Sequence, residues 1–239
     1  MTLLRTAVLM ADGNGARWLE AACLAERLGI TTFWIGDPAP DRADQFTGSY
    51  LAATAGAIFA RTSALRVGLF MPVGDGPSPL RIAEDLAVLD NLSAGRVEYG
   101  PVVAPEDIGG TVALRNAWRG WPLPGGGTVH VIPHPVQPAI PCLLTCRPSP
   151  DDLARLPEAG LLIRAGSASP PSLPNGRRRV LLLDCPPLAA TNVDIDVSRR
   201  LAEESGADEI IFSCDGSPEA LTFIATAIAP ALRASEPIF

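Results

Sequence analysis

The sequence predicts a closed (β/α)8 barrel of the TIM type. Eight short apolar runs alternate with helix-like stretches or loops along the 239 residues, the pattern of successive βαβ units. The third, seventh and eighth runs are continuously apolar, as strands buried on both faces are. No Gly-x-Gly-x-x-Gly follows the first run, which makes a doubly wound open sheet the less favoured alternative. Eight repeats therefore indicate the barrel.

The first half of the chain holds four of the apolar runs and three helices. The runs cover residues 6–10, 32–35, 65–73 and 96–100, and helices are predicted over about 16–28, 49–60 and 79–94. Gly29 and Gly95 suit the left-handed residue that ends a helix. Pro79 opens the third helix, in which Ile82, Leu86 and Leu89 form one apolar stripe.

The second half begins with its least regular segment, residues 101–140. Only 112–118 is predicted helical there, and the prolines of 132–141 require an extended chain. The remaining runs are 142–146, 161–165, 180–185 and 209–214, with helices starting after Ser149 and Ser217 and a further helix over 197–204. Each of these two serines precedes a proline, as expected at a helix N-terminus. Residues 167–176 form a Pro/Ser loop where a helix would be expected.

Composition limits the class of protein. The net charge of −7 argues against a nucleic-acid partner, and the basic run 177–179 is expected to be a solvated edge. No apolar run approaches the roughly 20 residues of a membrane span, and the N-terminus lacks a signal-peptide pattern. Five scattered cysteines without a Cys-x-x-Cys pair suit a reducing compartment. We expect one cytoplasmic domain over 1–239, without nucleic-acid or membrane partners.

Several segments carry a family resemblance. They are 25–36, 60–68 and 79–96, the last ending in Leu-Asp-Asn-Leu-Ser-Ala-Gly-Arg, followed by 135–141, Pro-Val-Gln-Pro-Ala-Ile-Pro, and by the short pieces 206–211 and 217–219. In these segments, about half of the chain, the sequence resembles the bacterial luciferase-like family of flavin-dependent monooxygenases. The chain is shorter than most members, which implies reduced helices and loops after strands four, six and seven.

The resemblance implies an oxidoreductase that binds reduced FMN, or the deazaflavin F420, at the carboxyl ends of the strands. Such an enzyme would oxidise a small organic substrate, and shallow loops would suit a bulky one from secondary metabolism. The family dimerises through its second and third helices. The small-residue face of Ala52, Gly56 and Ala60 fits that role in a homodimer or in a heterodimer with a luciferase-like paralogue. The alternative is that this face packs on its own barrel.

Candidate cofactor-binding residues follow from the same resemblance. They lie at the predicted carboxyl ends of the strands and are Asp37, Met71, Tyr99, Cys146, Arg147, Arg164 and Ser167. Arg147 precedes a helix N-terminus, a natural anion site, although plain capping is the alternative. Arg164 and Ser167 are candidates for a phosphate, but Arg164 would equally suit an ion pair with Asp184 or Glu98.

The sequence also departs from the family. Pro38 and Ala39 stand where members often carry a histidine, and Val102 and Val103 stand where luciferases carry a reactive cysteine and a phosphate-binding arginine. None of these side chains can move a proton or hold a phosphate. No catalytic residue is therefore assigned. A non-catalytic subunit without a flavin, acting as a structural or regulatory partner, is the alternative function.

The cysteines leave one more question open. Cys146, Cys185 and Cys214 follow predicted strands, so they could converge as a reactive thiol or, with a histidine, as a metal site. Their spacing is not a metal signature, and buried, inert cysteines are the alternative. No metal site is predicted. Hydrolase and kinase motifs are missing from the sequence.

Overall fold

The structure is a computed structural model that describes residues 4–39, 48–73, 78–103, 108–122, 127–146, 148–165, 177–185 and 192–233. Its strands are β1 (Arg5–Met10), β2 (Thr32–Ile35), β3 (Arg66–Pro72), β4 (Val97–Val102), β5 (Trp121–Pro122), β6 (Thr128–Val129), β7 (Leu143–Leu144), β8 (Gly160–Arg164), β9 (Arg179–Asp184) and β10 (Glu209–Ser213). Its helices are α1 (Gly15–Arg27), α2 (Gly48–Arg61), α3 (Pro79–Ser93), α4 (Gly109–Arg119), α5 (Pro150–Arg155), α6 (Asn192–Ser205), α7 (Pro218–Phe223) and α8 (Ala229–Arg233). A π-helical turn, Ile224–Ile228, joins α7 to α8.

Eight of the strands form one parallel sheet that closes on itself. Their order is β4-β3-β2-β1-β10-β9-β8-β7. The two ends meet where Tyr99 of β4 forms a parallel bridge with Cys142, just before β7, and the Tyr99 N–H donates to the Pro141 carbonyl at 3.0 Å. The predicted TIM-type barrel is confirmed. Strands β5 and β6 form a separate antiparallel pair.

Apolar side chains fill the inside of the barrel. They are Ala7, Leu9, Trp34, Phe70, Val102, Leu143, Leu162, Val180 and Ile211. Trp34 stacks on Phe70 with ring centroids 4.6 Å apart. A Cβ at Gly68 would lie 2.1 Å from the Trp34 ring, and one at Gly100 would lie 2.4 Å from the Phe70 ring. These two glycines are therefore required by the aromatic rings, and the interior is a packed core rather than a channel.

A buried ion network closes the amino end of the barrel. Arg178 donates to Glu98 at 2.6 Å and to Glu209 at 2.8 Å, and the Arg66 Nε donates to Glu98 at 2.7 Å. Burial alone would raise the pKa of Glu98, but the charges of Arg178 and Arg66 outweigh it and hold that pKa below its usual value. The prediction that the basic run 177–179 is a solvated edge is wrong for Arg178, because its side chain is only 20% exposed.

The motif that ends α3 joins the helices to the sheet. Ala94 ends the helix in the left-handed conformation with φ of 54°. Arg96 then reaches back to α2 and to the chain after it, donating to the Leu65 carbonyl at 3.0 Å and to the Thr62 Oγ1 at 3.2 Å. Its guanidinium also lies 4.9 Å from the Phe59 ring centroid. These contacts give the motif a structural role in this chain.

Some elements differ in length from their prediction. Helix α4 follows the fourth barrel strand and has 11 residues, and helix α6 follows the seventh and has 14. Both helices are longer than predicted. The fifth barrel strand, β7, has only two residues, because prolines precede it and the capped start of α5 follows it. Residues 132–141 form neither helix nor strand, as expected. The predicted loop over 167–176 lies outside the described residues.

Within the described part of the chain, no helix combines the length and the apolar character needed to cross a membrane.

Candidate functional site

The carboxyl ends of the barrel strands lie together at one end of the barrel, here called the opening, which is where ligands bind in this architecture. Leu9, Phe70 and Val102 face the interior near these ends and form an apolar floor. The connections after β1 and β10 are described completely, whereas those after β2, β3, β4, β7, β8 and β9 are described only in part. The described part of the site therefore consists mainly of the strand ends.

Strand alternation identifies the polar residues above this floor. Side chains two positions apart share a face of the sheet, so Arg164 faces the same side as Leu162, and Thr145 the same side as Leu143. By the same rule, Asp184 faces the same side as Leu182, and Ser213 faces the same side as Ile211. The four residues from which we count pack against one another and their neighbours inside the barrel, so they point inward. They are Leu143, Leu162, Leu182 and Ile211.

The opening thus combines an apolar base with a polar rim. Arg164 and Asp184 are exposed and carry opposite charges. The Thr145 hydroxyl donates to the Pro101 carbonyl at 2.8 Å, which ties the end of β7 to β4. An apolar base with a few polar groups around it suits a flat heterocycle that carries polar or charged substituents.

Asp37 and Arg164 are the two described candidate residues with charged side chains at strand ends, after β2 and at the end of β8. Asp37 is buried, and its Oδ1 accepts the Ala39 N–H at 2.8 Å, which stabilises the turn after β2. Arg164 faces the opening from the end of β8. Their roles toward a cofactor stay predictions.

Met71 and Tyr99 face away from the opening. Both belong to the core between the barrel and its helices, because their neighbours Phe70 and Gly100 take the inward positions. Tyr99 packs edge-on against Trp118 with ring centroids 5.8 Å apart, and burial raises the pKa of its hydroxyl well above the usual value. The structure does not bring these two side chains to the polar rim, and the apolar runs alone do not indicate which face of the sheet they occupy.

The remaining predicted site residues lie near the start of α5 or outside the described part. Cys146 is buried in the outer core, and burial raises the pKa of its thiol. Arg147 and Ser167 lie outside the described residues. The Ser149 hydroxyl accepts the Asp152 N–H at 3.2 Å, and the Asp152 carboxylate accepts the Ser149 N–H at 3.0 Å. This capping box supports the alternative of plain capping at α5.

The departures from the family fall at buried positions. Pro38 and Ala39 are buried after β2, and Val103 is buried after Val102 at the end of β4. No group there can ionise. Among the described residues, no cluster of three His, Cys, Asp or Glu side chains could hold a metal ion.

Sequence reasoning did not select Thr145 or Ser213, and it considered Asp184 only as an ion-pair partner. Each is an ordinary polar residue at a strand end, without a motif around it. Counting alternate positions from a residue of the same strand that points inward would have identified them. This count first requires knowing which residue of the strand points inward.

Comparison with known proteins identifies relatives of this barrel. The model of the family described as luciferase-like monooxygenase matches residues 3–107. A search of curated proteins finds no match. Among solved structures, the coenzyme F420 dependent tetrahydromethanopterin reductase from Methanopyrus kandleri aligns over 97% of this chain and 99% of its own, with 12% identity and a TM-score of 0.66.

Two further structures align over nearly the same extent. Riboflavin lyase, solved with modified FMN and riboflavin, has 13% identity and a TM-score of 0.67, covering 96% of this chain and 91% of its own. A long-chain alkane monooxygenase has 12% identity and a TM-score of 0.59, covering 97% and 91%. At such low identity these likenesses show the fold alone.

The fold defines a (β/α)8-barrel protein whose candidate ligand site lies at the carboxyl ends of the strands. The resemblance to the luciferase-like monooxygenase family is confirmed by the match of residues 3–107.

Proposed function

We propose that the protein is a flavin-dependent oxidoreductase of the luciferase-like monooxygenase type, acting on a small organic substrate. Reduced FMN is the preferred cofactor and F420 the alternative. The observation that carries the proposal is the opening itself, an apolar base below a rim that holds Arg164. The family match and the cofactors named for two solved structures of this fold, F420 and FMN, support it.

The described residues fit the parts of a flavin. Leu9, Phe70 and Val102 offer apolar contact to a flat ring, and the hydroxyls of Thr145 and Ser213 offer hydrogen bonds to its polar edge. Arg164 is the cation that the described part of the rim carries, and it would hold the phosphate. Reduced flavin, when bound, would supply the electrons and the activation of oxygen that monooxygenation requires.

The chain itself would bind and orient the cofactor and the substrate, and it would exclude water from them. Its packed floor keeps solvent out from below, because the barrel interior is filled by Trp34 and Phe70. Asp184 is the ionisable side chain that alternation places at the rim beside Arg164, and it would orient the substrate or balance the arginine. A bulky substrate, such as one of secondary metabolism, would suit a shallow opening.

A non-catalytic, luciferase-like subunit is the second candidate function. It is favoured by the apolar, non-ionisable residues at the ends of β2 and β4, namely Pro38, Ala39, Val102 and Val103. In this case no flavin binds, and the barrel serves as a structural or regulatory partner in a dimer.

Either function would use a dimer through α2 and α3. Ala53 and Ala57 are exposed on α2, and Val88 and Leu92 of α3 are 42% and 70% exposed. Small residues on one helix beside apolar residues on the next allow close approach of a second copy or of a paralogue.

Calorimetric titration with FMN, riboflavin and F420 tests the proposal. We expect FMN to bind more tightly than riboflavin, and Arg164→Gln to weaken FMN binding about tenfold or more while leaving riboflavin binding unchanged. Arg155→Gln, at an exposed arginine of α5, is the matched control and should change neither affinity. Absence of binding by all three ligands would favour the non-catalytic subunit.

A further inference from the structure

The two histidines of the chain lie side by side. The sequence contains two histidines in all, His130 directly after β6 and His134 in the proline-rich segment. Their ring centroids are 5.8 Å apart, and the ring planes meet edge-on at 69°. Both side chains are exposed, so a small solute can reach both rings.

The path of the chain between the two histidines produces this proximity. Four residues of extended chain would span about 13 Å, because such a chain rises about 3.3 Å per residue. The chain instead bends at Ile132 and Pro133, and the two rings meet across the bend. The spacing of the histidines in the sequence therefore does not predict the pair by itself.

Backbone contacts on both sides of the bend hold the two histidines in place. The N–H of Val131, next to His130, donates to the Ala117 carbonyl of α4 at 3.3 Å. The His134 carbonyl accepts the side-chain amide of Asn91 in α3 at 2.7 Å. The pair is thus anchored near the C-terminal ends of α3 and α4, which lowers the cost of ordering it around a ligand.

The separation of the rings suits one metal ion between them. A metal–nitrogen bond of about 2.0–2.1 Å places the ion about 3 Å from the centre of an imidazole ring. Two rings that share an ion therefore have centroids about 5–6 Å apart at ordinary coordination angles. The observed 5.8 Å lies in this range. The exposed rings need only rotate about their side-chain bonds to aim one nitrogen each at a common ion.

We propose that His130 and His134, here called the histidine pair, bind one divalent transition-metal ion of the Ni²⁺, Cu²⁺ or Zn²⁺ type. Neutral imidazole is the commonest protein ligand for such ions. The part of the chain that the structure describes holds no group of three His, Cys, Asp or Glu side chains suited to a metal, so water completes the coordination. Binding replaces two bound waters by two imidazole nitrogens, and no electron is transferred.

A bound ion would connect two parts of the surface. His130 follows β6, which pairs with β5, whereas His134 is held on α3 by Asn91. An ion bound to both rings therefore links the β5–β6 pair to α3 and stabilises the folded chain by mass action. The inference is independent of the proposed function, because neither histidine belongs to the strand ends at the opening.

Calorimetric titration of the tag-free protein with Ni²⁺ tests the site, since this ion does not oxidise the free cysteines. We expect one equivalent to bind per chain. His130→Ala and His134→Ala should each weaken binding at least about tenfold, because the second imidazole on the same chain is lost. Both positions are exposed, so these variants should fold. Val136→Ala, at an exposed residue of the same segment, keeps both rings and is the control.

A second readout uses the unaltered protein. Every imidazole C–H proton resonance comes from these two residues, so paramagnetic Ni²⁺ should broaden the resonances of both rings together as one equivalent is added. The melting temperature of the wild type and of Val136→Ala should rise with Ni²⁺, and that of either histidine variant should rise less. The proposal is overturned if the wild type binds no Ni²⁺, if either histidine variant binds it as tightly as the wild type, or if only one ring is broadened.

Discussion

The carboxylate of Asp90 accepts two hydrogen bonds from Gln137, one from its backbone N–H at 2.8 Å and one from its side-chain amide at 2.7 Å. The same amide donates to the Val97 carbonyl at 2.9 Å. Asp90 belongs to the motif that ends α3, and Gln137 belongs to the Pro-Val-Gln motif. The two motifs that carry most of the family resemblance therefore meet, and they hold the proline-rich segment against α3 and β4.

Removing the carboxylate should destabilise the fold. Asp90 is fully buried, so Asp90→Ala leaves two Gln137 donors without their acceptor, and we expect a loss of about 2–4 kcal/mol in the free energy of unfolding. Urea unfolding measures it. Asp85→Ala, which removes a surface ion pair with Arg81 at 3.2 Å, should cost less than about 1 kcal/mol. Equal losses in the two variants would contradict the role given to Asp90.

The glycines inside the barrel should not tolerate a side chain. Gly100→Ala places a methyl group 2.4 Å from the Phe70 ring, and we expect a loss of about 1–3 kcal/mol from overpacking. Thermal and urea unfolding measure the change. Gly109→Ala on α4, where a Cβ meets nothing within 4 Å, is the control and should be neutral or stabilising. A neutral Gly100→Ala would show that the Trp34–Phe70 stack is not packed as described.

The ion network at the amino end of the barrel should make stability depend on pH. Because the pKa of Glu98 is lowered in the folded protein from the ordinary 4.5, its contribution is complete above that value and decreases as the pH falls through the lower folded-state pKa. Glu98→Gln should therefore be less stable than the wild type at pH 7 and lose less stability between pH 6 and acidic pH. Chemical unfolding across this range gives the comparison.

The control for the pH series is Glu84→Gln, at an exposed position of α3. It should reproduce the pH profile of the wild type. If Glu98→Gln also reproduces that profile, the network does not hold the Glu98 carboxylate in its charged form.

A charge on the exposed face of α2 should prevent dimerisation. We expect Ala57→Arg to be monomeric in light scattering coupled to gel filtration under conditions in which the wild type is a dimer, since burying an unpaired guanidinium is unfavourable. Ala154→Arg, at an exposed position of α5, should leave the mass unchanged. A monomeric wild type, or a dimeric Ala57→Arg, would exclude this face as the interface.

Much of the barrel could be predicted because each strand is a short apolar run followed by a helix-start or turn signal. The first two runs, 6–10 and 32–35, differ from β1 and β2 by one residue at most. The direction of the side chains at the strand ends could not be predicted from the sequence. The predicted Met71 and Tyr99 face the helices, whereas the unselected Thr145 and Ser213 face the opening, because one residue of register reverses the face.

Contacts between residues that are far apart in the sequence could not be predicted either. Arg178 looks like part of a surface run until Glu98 and Glu209 are placed beside it by the sheet. Motif residues such as Asp90 and Arg96 carry the family resemblance, yet their contacts show that they support the fold rather than the opening.

A crystal structure of the protein grown with FMN tests the central claim most directly. We expect electron density for the isoalloxazine ring above Leu9, Phe70 and Val102, with the phosphate within hydrogen-bond distance of Arg164. A ring bound outside the barrel opening, or an opening without FMN at concentrations that saturate binding in solution, would contradict the account.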